Sequence, residues 1–105
     1  MVNKASIRIV NLEDYELEYD EILYRVDETN SVMNTPFKTN NAEMDYENYE
    51  NYFFSKLDNK DEDLRRELDK VYHMAKENDI ALGCWCEQSE LCYAGVIKNF
   101  LEQFI

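Results

Sequence analysis

The apolar run IALGCW at residues 80–85 places the strongest constraint on how this chain folds. A short run without charged positions is typical of a strand that is buried on both faces of a sheet. The preceding segment has helical periodicity, with a cap expected at Asp61 and apolar positions at Leu64, Leu68, Val71, Tyr72 and Ala75. A strand reached through helices favours parallel pairing with an earlier strand.

Two earlier segments alternate apolar and polar residues and therefore predict strands: SIRIVNL (6–12) and DEILYRVDE (20–28). Between them, EDYELEYDE (13–21) contains six acids and no base, which indicates a solvated loop or a strand edge. The segment TNSVMNTPFKTNN (29–41) is rich in Asn and Thr and contains the only Pro, as loops do.

Two further helices complete the pattern. One begins at Ala42, and its apolar stripe comprises Tyr46, Tyr49, Phe53 and Leu57. The other follows a polar turn, with Ser89 as its expected N-cap and Cys92 in its first turn. The order predicts a single α/β domain over 1–105, a small Rossmann-like layered fold with a short, mostly parallel sheet and helices packed on it.

Charge restricts the classes of partner. The 105-residue chain carries 23 acidic and 11 basic residues, a formal net charge of −12. Such a surface repels phosphates and anionic membranes, so direct nucleic-acid binding and membrane association are not expected. No apolar segment is long enough to span a membrane, and the N-terminus does not resemble a signal peptide. These features predict a cytoplasmic protein, and a homo-oligomer is compatible with them.

All three cysteines, Cys84, Cys86 and Cys92, and the only tryptophan, Trp85, lie within the stretch CWCEQSELC. Strand geometry would direct Cys84 and Cys86 to the same face, where Cys92 could join them. Zinc normally takes four ligands, or three plus water at a catalytic site, so a zinc site is conceivable but lacks the usual two-residue gap. The alternative is that these thiols are small, buried, structural side chains, and no other cofactor is predicted.

Ligands of parallel sheets bind beyond the carboxyl ends of the strands, where helix N-termini present free N–H groups. The predicted ligand-binding residues lie in that region: Arg25, Asn34, Thr35, Trp85, Cys86, Ser89 and Cys92. Arg25 could meet a phosphate or a carboxylate, or instead form an ion pair with one of its acidic neighbours. No Gly-rich phosphate loop or Ser–His–acid arrangement is present, so the sequence assigns no catalytic residue and leaves enzymatic activity open.

The segment LGCWCEQSELCYAGVIKNFL resembles the C-terminal signature of a family of unknown function, numbered 4326, found in phages and bacteria. That family shows a strand ending in C-W-C, a turn, a C-H pair and a helix, together with an upstream arginine and an N-P-F loop. Arg25 and the stretch from Asn34 to Phe37 occupy the matching order, although Tyr93 replaces the histidine, Met33 the glycine, and Thr35 is inserted. The resemblance implies a layout similar to that of small Rossmann-like domains, among which are domains that bind nucleotides or nucleotide-derived molecules.

Two functions follow from these observations. The first is binding of a nucleotide or nucleotide-derived small molecule, which in a phage setting would act in the host cytoplasm. The second is an acidic protein-interaction role, such as a DNA mimic that inhibits a basic host protein. The acids that would serve the second role form two clusters, Glu13, Asp14, Glu16, Glu18, Asp20 and Glu21, and Glu43, Asp45, Glu47 and Glu50.

Overall fold

The computed structural model describes residues 6–86 and 91–104. Six elements follow one another along the chain: β1 (Ile7–Asn11), β2 (Glu21–Arg25), α1 (Ala42–Asp58), α2 (Glu62–Glu77), β3 (Asp79–Cys84) and α3 (Ala94–Glu102). Each predicted strand and helix is present. The predicted α/β class is confirmed.

The sheet has the order β1-β3-β2, and β3 pairs in parallel with both neighbours. Ile80 stands opposite Ile7 on one side and Ile22 on the other. The apolar run therefore forms the central strand. A central strand has a neighbouring strand on each side, so its residues are surrounded by protein. The parallel arrangement also brings the carboxyl ends of the three strands to one edge.

The helices pack on the sheet through residues that the periodicity identified. Tyr49 and Phe53 of α1 are buried, as are Leu64 and Leu68 of α2. These side chains share one core with Ile80 and other strand residues. Burial of this apolar surface is the main force that holds the helices to the sheet.

Side-chain caps define where α1 and α2 begin. The Asn41 side chain accepts a hydrogen bond from the backbone N–H of Met44, and the Asp61 carboxylate accepts one from Leu64. Each cap satisfies a backbone donor that the first helical turn leaves free. The expected cap at Asp61 is confirmed.

The last helix begins later than the sequence predicts. Its first residue is Ala94, and Tyr93 occupies the N-cap position without a side-chain capping bond. The Tyr93 hydroxyl instead donates to the carbonyl of Val26 at 2.5 Å. Cys92 consequently precedes the helix and is not part of its first turn, while Ser89 lies outside the described residues.

The two faces of the sheet are covered differently. Successive residues of β3 alternate, so Leu82 and Cys84 belong to the helical core whereas Ala81 and Gly83 face the other way. A Cβ atom at Gly83 would lie 2.6 Å from Cδ2 of Leu12, which shows how closely that side chain covers the glycine. The segment 12–20 therefore covers part of this second face through Leu12.

An ion pair between a buried carboxylate and a partly exposed guanidinium holds that covering segment in place. Glu21 has a side chain that is only 1% exposed, and both of its oxygens accept hydrogen bonds of 2.7 Å from the Arg8 guanidinium. Arg8 also donates to the carbonyl of Glu16 at 2.5 Å. The hydrogen bonds from Arg8 lower the pKa of Glu21, although burial opposes them.

No helix among the described residues is long and apolar enough to cross a membrane.

Candidate functional site

A cavity opens at the edge of the sheet where β2 and β3 end. It has a volume of ≈ 400 Å³. Its walls come from the loop after β2, the start of α1, and the segments on either side of residues 87–90. The lining residues are Glu28, Thr35, Phe37, Lys38, Thr39, Asn40, Ala42, Asp45, Tyr46, Trp85, Cys86, Leu91 and Tyr93.

The side chain of Asn30 organises the loop that forms one wall. Its Oδ1 accepts hydrogen bonds from the backbone N–H groups of Val32 (3.2 Å) and Met33 (3.0 Å). Its Nδ2 donates to the hydroxyl of Tyr24 at 2.8 Å, which ties the loop to β2. The hydroxyl of Tyr49 donates to the carbonyl of Met33 at 2.8 Å and ties it to α1. The wall is thus anchored at both ends.

Asp27 joins the loop after β2 to the end of β3. Its carboxylate is 1% exposed and accepts hydrogen bonds from Arg25 (2.6 Å), the Thr29 hydroxyl (2.6 Å) and Nε1 of Trp85 (3.0 Å). Burial alone would raise the pKa of Asp27, but these hydrogen bonds outweigh it and hold the pKa below its ordinary value. Asp27 therefore stays ionised near neutral pH.

Trp85 is held on one edge and open on the other. Its indole N–H is bound by Asp27, while 48% of the residue's surface is exposed. Because the side chain also lines the cavity, part of its aromatic surface is available to a molecule bound there. A fixed ring needs little reordering when it makes such a contact.

The polar side chains of the lining differ in how many hydrogen bonds they already make within the protein. Asp45 accepts hydrogen bonds from the backbone N–H (2.9 Å) and the hydroxyl (2.8 Å) of Thr39. Thr35 is 6% exposed, and its Oγ1 accepts from the N–H of Phe37 at 3.1 Å, so its hydroxyl proton has no described acceptor. Lys38 is the only cationic residue among the described lining residues.

The three cysteines converge beside the cavity. The Sγ atoms of Cys84 and Cys92 are 2.9 Å apart, and all three sulfurs lie within 4.8 Å of one another. Cys84 and Cys92 are buried, whereas Cys86 is half-buried and lines the cavity. The predicted convergence is present, and the group is compact enough to hold a metal ion.

Mutual hydrogen bonding controls the protonation of this cluster. Bonds from the Cys86 and Cys92 thiols lower the pKa of Cys84, against the effect of its burial. The same interactions raise the pKa of Cys92, together with burial. Ionisation of one sulfur therefore disfavours ionisation of its neighbours.

The structure separates the residues that the sequence grouped as ligand-binding. Thr35, Trp85 and Cys86 line the cavity. Arg25 does not; it forms the ion pair with Asp27, as the alternative interpretation of its acidic neighbourhood proposed. Asn34 is also outside the lining, and its Oδ1 is buried without a partner among the described residues. Cys92 is buried behind Cys86, and Ser89 lies outside the described residues.

Several lining residues were not singled out in the sequence. Phe37, Lys38 and Thr39 belong to the loop 29–41, which was recognised in the sequence by its composition and its N-P-F motif, but these three were not predicted as ligand-binding. Tyr46 fits the apolar stripe of α1, and the same side chain reaches the cavity. The position of the whole loop, after a parallel strand and before a helix, predicted the region of the site, but it does not select individual side chains.

Comparison with known proteins adds a family and nothing more specific. No curated protein and no solved structure matches this chain. A family model does match, over residues 6–104; it is DUF488-N3a, described as the active DUF488-N3 subclade. The match supports the expected family of domains of unknown function, but not family 4326 specifically. Because it spans nearly the whole chain, the protein belongs to the DUF488-N3a family.

Proposed function

We propose that this protein binds a nucleotide or nucleotide-derived small molecule in the cavity at the carboxyl edge of its sheet. The observation that supports the proposal is the cavity itself, which combines the exposed surface of Trp85 with hydrogen-bonding side chains. Ligand sites of α/β folds lie at this edge, and pockets of this size accommodate small molecules.

The aromatic lining favours a ligand with a planar ring. Trp85 supplies a fixed indole, and Phe37 and Tyr46 add aromatic surface to the same cavity. A nucleobase that stacks on such a side chain gains about 1–3 kcal/mol by comparison with alanine. The Thr35 hydroxyl provides a donor for the ring or its sugar.

The charges of the lining favour a ligand with few phosphates. Lys38 can meet one phosphate group, but Glu28 and Asp45 place carboxylates in the same lining. Each added phosphate would face these carboxylates and the net charge of −12. Nucleosides and nucleoside monophosphates are therefore expected to bind more tightly than triphosphates.

A fluorescence titration tests the proposal, because Trp85 is the only tryptophan of the chain. Adenosine, guanosine, cytidine and uridine, with their mono- and triphosphates, would be added at low ionic strength. The expected result is a saturable change in emission with at least one base, weaker for its triphosphate. Native mass spectrometry of protein purified from a bacterial cytoplasm would detect a bound molecule independently.

Matched variants locate the binding site. Lys38→Met should weaken binding of the monophosphate much more than that of the nucleoside, because only the phosphate requires the cation. Lys60→Met, at an exposed lysine between α1 and α2, is the control and should leave both unchanged. The proposal fails if no compound gives saturable binding at millimolar concentration and no co-purified mass is found.

A second candidate function rests on the segment that covers the other sheet face. Five of its acids, Glu13, Asp14, Glu16, Glu18 and Asp20, are exposed. The same segment exposes Tyr19 (92%), Leu17 (44%) and Tyr15 (39%). Acids interleaved with exposed apolar side chains suit a basic protein partner. Glu21 does not contribute to that surface, because it is buried against Arg8.

Salt dependence and charge removal test this alternative. A host-lysate pull-down at low salt should recover a basic protein, and binding should weaken steeply as salt is raised. The triple variant Glu16→Gln, Glu18→Gln, Asp20→Asn should no longer bind the basic protein. The double variant Glu43→Gln, Glu47→Gln on α1 tests whether the second acidic cluster contributes to the binding. Recovery of no basic partner at low salt would reject this function.

A further inference from the structure

Three sulfur atoms at one place in a chain with no other cysteine call for an explanation beyond packing. Cys84, Cys86 and Cys92 account for all three cysteines of the sequence, and their sulfurs lie within 4.8 Å of one another. Thiolates bound to a tetrahedral zinc ion at about 2.3 Å stand roughly 3.8 Å apart. Cys84 and Cys92, at 2.9 Å, would have to separate by roughly 0.9 Å to reach that spacing, whereas all three sulfurs already lie within 4.8 Å of one another.

The backbone around each thiol is held in place. Cys84 ends the central strand, where its carbonyl accepts a hydrogen bond of 2.8 Å from Leu12. The carbonyl of Cys86 accepts from Nδ2 of Asn11 at 3.0 Å, and that of Cys92 accepts from the N–H of Gly95 at 2.8 Å. Three ligand positions fixed in this way lose little entropy when they bind an ion.

We infer that Cys84, Cys86 and Cys92 bind a thiophilic d¹⁰ cation, Zn²⁺ or Cu⁺, as three thiolates beside the ligand cavity. Soft thiolate ligands select these ions over Mg²⁺ and Ca²⁺. Binding forms three sulfur–metal bonds and releases the thiol protons to solvent. The inference stands on the cluster and does not depend on the proposed small-molecule ligand.

The described part of the chain offers three ligands to the ion. No His, Asp or Glu of the described residues joins the three sulfurs within the same group. Zn²⁺ held by three protein ligands keeps a position for water or a substrate group, and Cu⁺ accepts three thiolates alone. Because Cys86 lines the cavity, a zinc-bound water or ligand would be reached from there.

A disulfide is the competing use of the same atoms. Oxidation of Cys84 and Cys92 would join two sulfurs at about 2.05 Å and leave Cys86 as a free thiol. That outcome uses two cysteines, whereas the structure gathers three. The net charge of −12 further favours uptake of a cation.

The test measures metal content and coordination of the full chain. Protein purified without chelators and with thiols kept reduced is expected to retain close to one zinc or one copper per chain. Replacement by Co²⁺ should produce strong sulfur-to-cobalt absorption if the site is a zinc site. Competition with a Cu⁺ chelator measures the affinity for copper and identifies a copper site. The Co²⁺ and chelator experiments together therefore distinguish the two cations.

Variants at the half-buried cysteine keep the inference falsifiable. Cys86→Ser and Cys86→Ala should each lower the affinity for the cation at least tenfold while circular dichroism stays unchanged. His73→Ala is the matched control, because this histidine is exposed and pairs with Asp69 on α2. The inference is overturned if the reduced protein binds none of Zn²⁺, Cu⁺ and Co²⁺. It is also overturned if protein whose free thiols are alkylated at the moment of isolation contains a disulfide between Cys84 and Cys92.

Discussion

The carboxylate of Asp27 accepts a hydrogen bond of 3.0 Å from Nε1 of Trp85, and this contact links the residues that follow β2 to those that follow β3. The two residues are 58 positions apart in the chain. Their contact fixes one wall of the cavity relative to the other. It also leaves a nearly inaccessible carboxylate dependent on the donors around it.

Replacing Asp27 by Asn should destabilise the fold by about 1–3 kcal/mol, because the hydrogen bonds that Arg25, Thr29 and Trp85 donate to the buried carboxylate lose its charge and one of its acceptor oxygens. Urea unfolding followed by circular dichroism measures the change. Glu47→Gln, at an exposed position of α1, is the control and should stay within about 0.5 kcal/mol of the original protein. Equal stabilities of Asp27→Asn and the original protein would contradict the role assigned to this carboxylate.

The same substitution should alter the dependence of stability on pH. The folded pKa of Asp27 lies below its ordinary value, so the unfolded chain takes up the proton first as the pH falls. The contribution of Asp27 is therefore complete above about pH 5 and declines below about pH 4. The difference between the original protein and Asp27→Asn should shrink over that range in urea titrations. A difference that grows on acidification would contradict the lowered pKa.

Tyr24 joins β2 to α2 through the hydrogen bond that its hydroxyl donates to Glu67. Tyr24→Phe removes this bond and the acceptor used by Asn30, and we expect a loss of about 0.5–1.5 kcal/mol. Tyr19→Phe removes a hydroxyl from a residue that is 92% exposed and serves as the control. Thermal unfolding should place the midpoint of Tyr24→Phe clearly below that of Tyr19→Phe.

The ion pair between Glu21 and Arg8 should matter more than a Lys–Glu pair whose carboxylate is exposed. Glu21→Gln leaves a buried amide where the guanidinium needs a carboxylate, and we expect a cost of about 1–3 kcal/mol. Glu102→Gln breaks the 2.9 Å pair with Lys98 on α3 and should cost less than about 0.5 kcal/mol. Denaturant unfolding of both variants decides whether burial sets this difference.

The two glycines should respond oppositely to added side chains. Gly83→Val places carbon atoms where Leu12 and Leu23 lie, so these side chains must move; about 1–3 kcal/mol of stability should be lost. Gly95→Ala adds a methyl group 3.7 Å from Tyr46 within α3, an ordinary contact, and should stabilise by about 0.5–1 kcal/mol. A stabilised Gly83→Val variant would show that the cover over that face adjusts freely.

The sequence predicted those features that depend on local pattern. The central strand was recognisable because every neighbour of β3 is protein, which requires apolar residues throughout. The cap at Asp61 and the convergence of the cysteines were also recognisable, since both depend on spacing along one or two adjacent elements. The parallel sheet followed from the order of the elements.

The remaining features depend on contacts between distant residues. The delayed start of α3 reflects the bond from Tyr93 to Val26, 67 positions away. The partner of Arg25 could not be selected among its many acidic neighbours without knowing that Asp27 is buried. The contribution of Tyr46 to the cavity was hidden because one apolar stripe serves both the core and the cavity wall.

The order of the strands has a consequence for synthesis on the ribosome. β1 and β2 both pair with β3, and Ile80 meets partners 73 and 58 positions earlier in the chain. Neither of the first two strands has a described strand partner until β3 has been synthesised. The nascent chain therefore carries both strands without a described strand partner while α1 and α2 are made, and the sheet can form only through long-range contacts.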